Sequence, residues 1–133
     1  MGSGQPAATG LFDDYTAEIF NPPYLFNPDG TDATPTRPSI TSAPSQVSYG
    51  QTFGVSTPNA SPIASVTWIA LGSVTHGFNE SQRFNRLTFS VSGTGTLNVV
   101  APASAPLSPP GYYMLFLIDS RGVPSVAKII RIG

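Results

Sequence analysis

Residues 111–119 read Gly-Tyr-Tyr-Met-Leu-Phe-Leu-Ile-Asp, and this stretch decides the fold. Its apolar part, residues 112–118, has the length of a β-strand and is far shorter than the roughly 20 residues that a membrane helix needs. Tyr, Phe and Ile favour strands. The flanking residues 108–111 and 121–124 are rich in Pro and Gly, which end regular elements. The stretch therefore predicts a strand between two turns.

Short runs of the same character repeat along the rest of the chain, separated by turn residues. Besides the first run, we predict strands over residues 39–42, 46–48, 52–56, 64–71, 86–91, 96–101 and 126–132. No stretch keeps a helical period. Short strands at this spacing are typical of a sandwich. We therefore predict an all-β fold, an immunoglobulin-like antiparallel β-sandwich of seven to eight strands, with Trp68 in its core.

The chain of 133 residues fits one domain. Residues 1–11 are small and polar, and we expect a disordered linker or a remnant of expression there. Residues 12–133 are predicted to form the single sandwich domain. The alternation in residues 15–20 predicts a further strand at its start.

Composition excludes several classes of function. Net charge is −1 and charged residues make up only 10% of the chain, so neither nucleic acid nor an anionic membrane is an expected partner. Cysteine is absent, which excludes disulfides and thiolate metal sites. Low charge with abundant Ser, Thr, Gly and Pro is common in extracellular β domains. We therefore expect an extracellular or cell-surface location.

One segment, residues 72–85 between two predicted strands, does not look like an ordinary turn. It holds the single histidine, His76, together with Glu80 and Arg83, and loops on rigid scaffolds often carry function. No Gly-x-Ser-x-Gly motif accompanies the histidine. One histidine cannot build a transition-metal site alone. His76 is therefore either one ligand of a site completed by another domain or an ordinary surface residue.

Two further binding functions are weaker alternatives. Asn27, Asp29 and Asp32 resemble part of a calcium loop, but the bidentate Glu of an EF-hand is missing, so a polar turn is the better interpretation. Phe78 and Phe84 lie in the unusual segment and leave carbohydrate binding open. The other candidate aromatics, Tyr15, Tyr24, Tyr112 and Tyr113, are better explained by core packing.

Three motifs carry a family resemblance. They are Glu-Ile-Phe-Asn-Pro-Pro-Tyr-Leu-Phe over residues 18–26, Thr-His-x-x-Asn-x-x-Gln-Arg over residues 75–83, and Pro-Gly-Tyr-Tyr-Met-Leu-Phe over residues 110–116. Over about residues 12–133 the chain resembles the C-terminal immunoglobulin-like (early set, or E-set) domain of the galactose oxidase and glyoxal oxidase class of copper radical oxidases.

The resemblance implies that this domain and a kelch β-propeller of the same parent chain together form one copper site. In that family a loop of this domain reaches the propeller, so His76 would be a copper ligand only in the intact parent. The second nitrogen of the imidazole needs a partner, which Thr75, Asn79 or a backbone carbonyl could supply. Thr75 and Asn79, with Gln82 and Arg83 of the same motif, are therefore the predicted support of the loop. The propeller would supply a Tyr-Cys radical cofactor, and the parent would oxidise alcohols or aldehydes with oxygen to give hydrogen peroxide.

We therefore expect an accessory domain that is inactive on its own and holds no cofactor in isolation. Without the propeller, residues 72–85 are expected to be more mobile than the strands. An independent carbohydrate-binding or structural module of a secreted multidomain protein is the alternative.

Overall fold

The protein is described by a computed structural model over residues 19–27, 29–31, 37–58, 60 and 62–133. A short 3-10 turn, Pro23–Leu25, precedes the strands. The strands in chain order are β1 Gln46–Val47, β2 Thr52–Ser56, β3 Ile63–Ala70, β4 Ser73–Thr75, β5 Phe78–Glu80, β6 Phe84–Leu87, β7 Phe89–Ser92, β8 Thr96–Val100, β9 Gly111–Asp119 and β10 Lys128–Ile132.

Two sheets form the sandwich. One has five strands in the order β1-β10-β9-β3-β6, and the other has three in the order β2-β8-β7. Neighbouring strands are antiparallel except β1 and β10, which run parallel. The two sheets confirm the predicted all-β sandwich and its strand number. Strands β4 and β5 pair only with each other within the part of the chain described.

The core lies between the two sheets and is centred on β3 and β9. Trp68 on β3 is fully buried, as predicted, and stacks on Tyr113 of β9 with ring centroids 4.7 Å apart. Such aromatic pairs contribute roughly 1 kcal/mol beyond the area they bury. The opposite sheet contributes Val55, Leu97 and Val99, which are equally buried. One continuous apolar core therefore holds the sheets together.

The prediction of one strand over residues 86–91 was wrong. The chain passes from the five-stranded sheet to the three-stranded sheet at Thr88, which separates β6 from β7. Leu87 before the crossing is buried, and Phe89 after it also packs on the core. The alternation of apolar residues therefore continues through the crossing and hides it.

The ends of the domain differ from the predictions in smaller ways. Residues 39–42 form no strand but contain one bridge, from Ser42 to Ser56. The last strand begins at Lys128, two residues later than predicted. Ile19 and Phe20 lie outside any strand, whereas the rest of the segment 15–20 lies outside the described residues.

Residues 1–11, predicted to be a linker, also lie outside the described residues. In the described part of the chain no helix is long and apolar enough to cross a membrane.

Candidate functional site

The segment singled out by its chemistry forms a β-hairpin that leaves the sandwich after β3 and returns at β6. In it Thr75 pairs with Phe78, and the intervening turn is His76-Gly77. The φ angles are 52° at His76 and 82° at Gly77. Positive φ at both central residues is the pattern of the type I′ turn, which is favoured in two-residue hairpins because its twist matches that of the strands. Histidine tolerates this conformation better than most residues.

The root of the hairpin is anchored to the five-stranded sheet. The Ala70 amide donates to the Arg83 carbonyl at 2.8 Å, and the Leu71 amide donates to the Tyr112 carbonyl at 2.9 Å. A Cβ placed on Gly72 would lie 3.0 Å from the backbone oxygen of Glu80. This close approach favours glycine at position 72, so the two hairpin strands leave the sheet side by side.

The imidazole of His76 is oriented by its neighbour in sequence. Its Nδ1 lies 2.7 Å from the Thr75 hydroxyl oxygen, and the side chains of the whole hairpin are exposed. When Nδ1 carries the proton and donates it to Thr75, the lone pair of Nε2 points away from this contact and is available to a metal. No group of three or more metal-ligating side chains occurs in the part of the chain described. The site can therefore contribute a single ligand.

The other predicted support residues are not gathered around the imidazole. Asn79 pairs with Val74, the neighbour of Thr75 on β4. Because successive residues of a strand point to opposite faces, Asn79 lies on the face of the hairpin opposite to Thr75. Gln82 and Arg83 lie at the hairpin root and line a groove there. Thr75 is thus the one predicted support residue that contacts His76.

The hairpin carries exposed apolar side chains on both of its faces. Val74 is 70% exposed on one face, and Phe78 is 71% exposed on the other. An isolated two-stranded hairpin is marginally stable in water at best, and each face of this one leaves a large apolar side chain in solvent. The arrangement fits a hairpin that is covered on both sides by a partner.

A groove of about 620 Å³ lies at the hairpin root, between it and the start of β9. Phe84 and Tyr112, which line it, are 55% and 56% exposed. The interpretation of Tyr112 and Tyr24 as core residues was wrong, since both are exposed, whereas Tyr113 is buried as expected. Alternation along β9 places Tyr112 on the outer side of the sheet.

A polar network that the sequence did not reveal holds β6 beside this groove. The Asn85 side-chain oxygen accepts from Trp68 Nε1 at 3.2 Å and from the Ser108 hydroxyl at 3.3 Å. The Asn85 amide nitrogen donates to the Leu107 carbonyl at 3.1 Å. These contacts join β3, β6 and the loop before β9, so they fix the strand into which the hairpin returns.

The segment that resembled a calcium loop forms a polar turn. Asp29 Oδ1 accepts from the amide and the hydroxyl of Thr31, at 2.9 Å and 2.6 Å. Asn27 donates to the same hydroxyl. The hydrogen bonds from Thr31 hold the pKa of Asp29 below its usual value. These contacts support the turn interpretation; Asp32 lies outside the described residues.

Comparison with known proteins gives consistent results. The family model described as galactose oxidase-like, early set domain matches residues 37–132. Galactose oxidase of Gibberella zeae is 40% identical over 132 residues, which are 98% of this chain and 19% of that protein. An aldehyde oxidase, GLOX, of Vitis pseudoreticulata is 33% identical over 123 residues, which are 86% of this chain and 23% of that protein.

A solved structure shares the fold. It is that of a fungal alcohol oxidase of the AA5 family in complex with copper, with a TM-score of 0.75 and 33% sequence identity. The similarity covers 84% of this chain and 23% of that one. The chain thus spans about a fifth of the length of the curated relatives and of the solved structure it matches.

Proposed function

Because this chain belongs to the galactose oxidase-like early set domain family, we propose that it is the accessory domain of a copper radical oxidase. In this proposal the β4–β5 hairpin enters a kelch β-propeller of the same larger protein and brings His76 to copper. The relatives' greater length supports a partner domain of this kind. The parent oxidises alcohols or aldehydes with oxygen and releases hydrogen peroxide.

The observation that carries the proposal is the hairpin with apolar residues on both faces. A surface hairpin usually lays one apolar face on its own domain and turns a polar face to water. Here Val74 and Phe78 point in opposite directions and both are exposed. Insertion into a channel covers both faces at once, whereas docking on a flat surface would cover only one.

The donor set of the hairpin tip fits one ligand of a copper site. Imidazole nitrogen suits copper, and His76 would hold the metal through Nε2 while Nδ1 donates to Thr75. Copper, with the Tyr-Cys radical cofactor of the propeller, supplies the one-electron chemistry. This chain has no cysteine and cannot supply that cofactor.

The chain's own residues therefore act by orientation. Thr75 orients the ring through its contact with Nδ1, and Gly77 allows the tight turn that presents it. The sandwich below holds the hairpin root through the hydrogen bonds of Ala70 and Leu71. A ligand held on a stiff scaffold keeps its geometry when the metal changes oxidation state.

The test uses a chimera in which this chain replaces the matched region of the Gibberella zeae galactose oxidase. His76→Asn is the informative variant because Asn-Gly is strongly preferred in a type I′ turn. The variant therefore keeps the hairpin and removes the imidazole. We expect loss of tightly bound copper, measured by metal analysis after dialysis, and loss of oxidase turnover.

Ser81→Asn is the matched control, since Ser81 also has a positive φ, 60°, in the same segment and Asn accepts it. This variant should keep copper and activity. Unchanged copper content in the His76→Asn chimera would refute the assignment of the ligand.

A second candidate is a carbohydrate-binding module, favoured by the half-exposed Phe84 and Tyr112 beside Gln82 and Arg83 in the root groove. Aromatic faces with planar polar groups suit sugar rings. Calorimetric titration of the chain with a panel of polysaccharides tests it, with Tyr112→Ala as the variant that should lose any signal.

The proposal includes an extracellular or cell-surface location, supported by the low proportion of charged residues, 10%. Detection of the parent protein in culture medium, and not inside the cells, tests it.

A further inference from the structure

Strand β9 is apolar on both of its faces. Tyr113, Leu115 and Leu117 point into the core and are buried. Their neighbours along the strand point to the outer side of the five-stranded sheet, and these are Tyr112, Met114, Phe116 and Ile118, all half-buried or exposed. A sheet with one solvated face normally alternates apolar and polar residues. The outer side of β9 therefore has the character of a surface that is covered.

The neighbouring strands extend this character across the sheet. Met114 pairs with Ile129 on one side and with Ile69 on the other, and Ile69 pairs in turn with Phe84. Ile129 is 47% exposed. We call this surface the outer apolar face, and it consists of Ile69, Phe84, Tyr112, Met114, Phe116 and Ile129.

The charges on this surface have one sign. Arg86 pairs with Thr67 and Arg131 pairs with Tyr112, so both arginines belong to the outer side of the sheet. The ion pair recorded among the described residues joins Arg121 and Asp119 and involves neither of them. No carboxylate lies among the outward residues of β3, β6, β9 and β10. Among the described residues no carboxylate is paired with either arginine, and an apolar surface of this kind is complementary to an apolar surface that carries carboxylates.

We propose that the outer apolar face is a second docking surface, separate from the hairpin, for an apolar and carboxylate-bearing surface of the same larger protein. This inference rests on the proposed function, in which the chain is one domain of that protein. The relatives support such an occupant, because the chain accounts for only 19% of the galactose oxidase it matches. A second copy of this chain is a poorer occupant, because it would bring arginines together.

Hydroxyl-radical footprinting tests the proposal by comparing the isolated chain with the galactose oxidase chimera. Met114 is the reporter, since methionine oxidises readily, and Tyr112 is a second one. We expect labelling of both to fall severalfold in the chimera. Val91, which is exposed on the other sheet, is the internal reference and should keep its labelling.

Labelling of the hairpin distinguishes a failure of this proposal from a failure of the proposed function on which it rests. Protection of Phe78 with continued labelling of Met114 would overturn the second docking surface and leave the proposed function standing. Labelling of both at the level of the isolated chain would overturn both. Concentration-dependent protection of Met114 in the isolated chain, with a dimer by light scattering, would show a second copy as the occupant and overturn the proposal.

Charge reversal tests the chemistry of the partner surface. Arg86→Glu with Arg131→Glu in the chimera should return Met114 labelling most of the way to that of the isolated chain. Lys128→Glu is the matched control, because Lys128 pairs with the inward Leu115 and does not lie on the outer apolar face. Equal labelling in the double variant and the control would refute a carboxylate-bearing partner surface.

The folding of each variant is checked first by thermal unfolding of the isolated chain. Should the chimera not fold, the same comparison on the intact Gibberella zeae enzyme decides the question. There the reporter is the peptide that aligns with residues 111–119, and its protection relative to the isolated matched region supports the proposal, whereas equal labelling overturns it.

Discussion

His76 combines two constraints on one side chain. Its backbone occupies a turn position with positive φ, and its ring contacts the Thr75 hydroxyl. Non-glycine residues in such conformations are uncommon and cluster at functional sites. The turn and the contact with Thr75 therefore both favour one direction of the imidazole, at the tip of the hairpin.

Thr75→Val tests that orientation at the scale of one hydroxyl. The change keeps a β-branched side chain in the strand and removes the partner of Nδ1. In the chimera we expect copper affinity to fall about 10- to 100-fold, the usual cost of losing such a partner of a ligating histidine. Competition with a chelator measures it. Thr75→Ser keeps a hydroxyl and should stay near the parent value; equal losses in both variants would contradict the orienting role.

Asp119 stabilises the turn after β9 in a way that depends on pH. Burial raises its pKa, but hydrogen bonds from the Val123 amide and from Arg121 outweigh this and hold the pKa below its usual value. A carboxyl whose folded pKa is depressed stabilises the protein above its unfolded pKa of about 3.9. That contribution is lost as the pH falls through the lower, folded pKa.

Asp119→Asn should therefore reduce the free energy of unfolding by about 1–3 kcal/mol at pH 7. The difference from the parent should shrink at acid pH, because the parent loses its own charge there. Urea unfolding of the parent and the variant, at pH 7 and again at acid pH, measures this difference. Asp29→Asn is the control, since Asp29 also has a lowered pKa but is fully exposed, and it should change stability little. A gap that stays constant with pH would contradict the argument.

Sequence patterns predicted the burial of single residues well where only one face of a strand is apolar. Trp68 was placed in the core correctly, because it lies in the middle of an apolar run. Tyr112 was misplaced, because an apolar residue on the outer side of a sheet has the same sequence pattern as one inside. Only the position of neighbouring strands tells the two apart.

At the scale of elements, the hairpin is the main structure that the sequence prediction missed. His76-Gly77 between short β-branched and aromatic runs is a usable hairpin pattern, although the turn lacks the commoner Asn or Asp. The crossing at Thr88 leaves no comparable pattern, since Leu87 and Phe89 both contribute to the core. Elements that leave a sheet, or that cross from one sheet to the other, are thus the hardest to predict from the alternation of apolar and polar residues.

The hairpin should be the least stable element in the isolated chain. Its two strands pair only with each other in the described structure, and its side chains are exposed. Regions with few buried contacts open most easily. We expect amide hydrogens over residues 72–85 to exchange faster than those of β3 and β9, and to slow in the chimera. Equal protection of the hairpin and β9 in the isolated chain would contradict this.

At the scale of the whole molecule, the sandwich supplies rigidity and the surface supplies specificity. The core joins two sheets without a disulfide, since the chain has no cysteine. The hairpin and the outer apolar face both present apolar groups beyond that core. Composition and strand pattern predicted the sandwich, but neither could reveal which outward residues stay exposed, because exposure depends on which strands and loops pack against each of them in the fold.

The isolated chain should hold no copper tightly. It has one histidine and no cysteine, and no cluster of three or more ligating side chains lies in its described part. A copper site usually takes several such ligands, so the imidazole alone leaves most positions to water. Titration with copper(II) at neutral pH in the low micromolar range should show no stoichiometric binding, and His76→Asn should behave like the parent. A tight site built from several of the chain's own side chains would mean that His76 does not complete the metal centre of a partner domain.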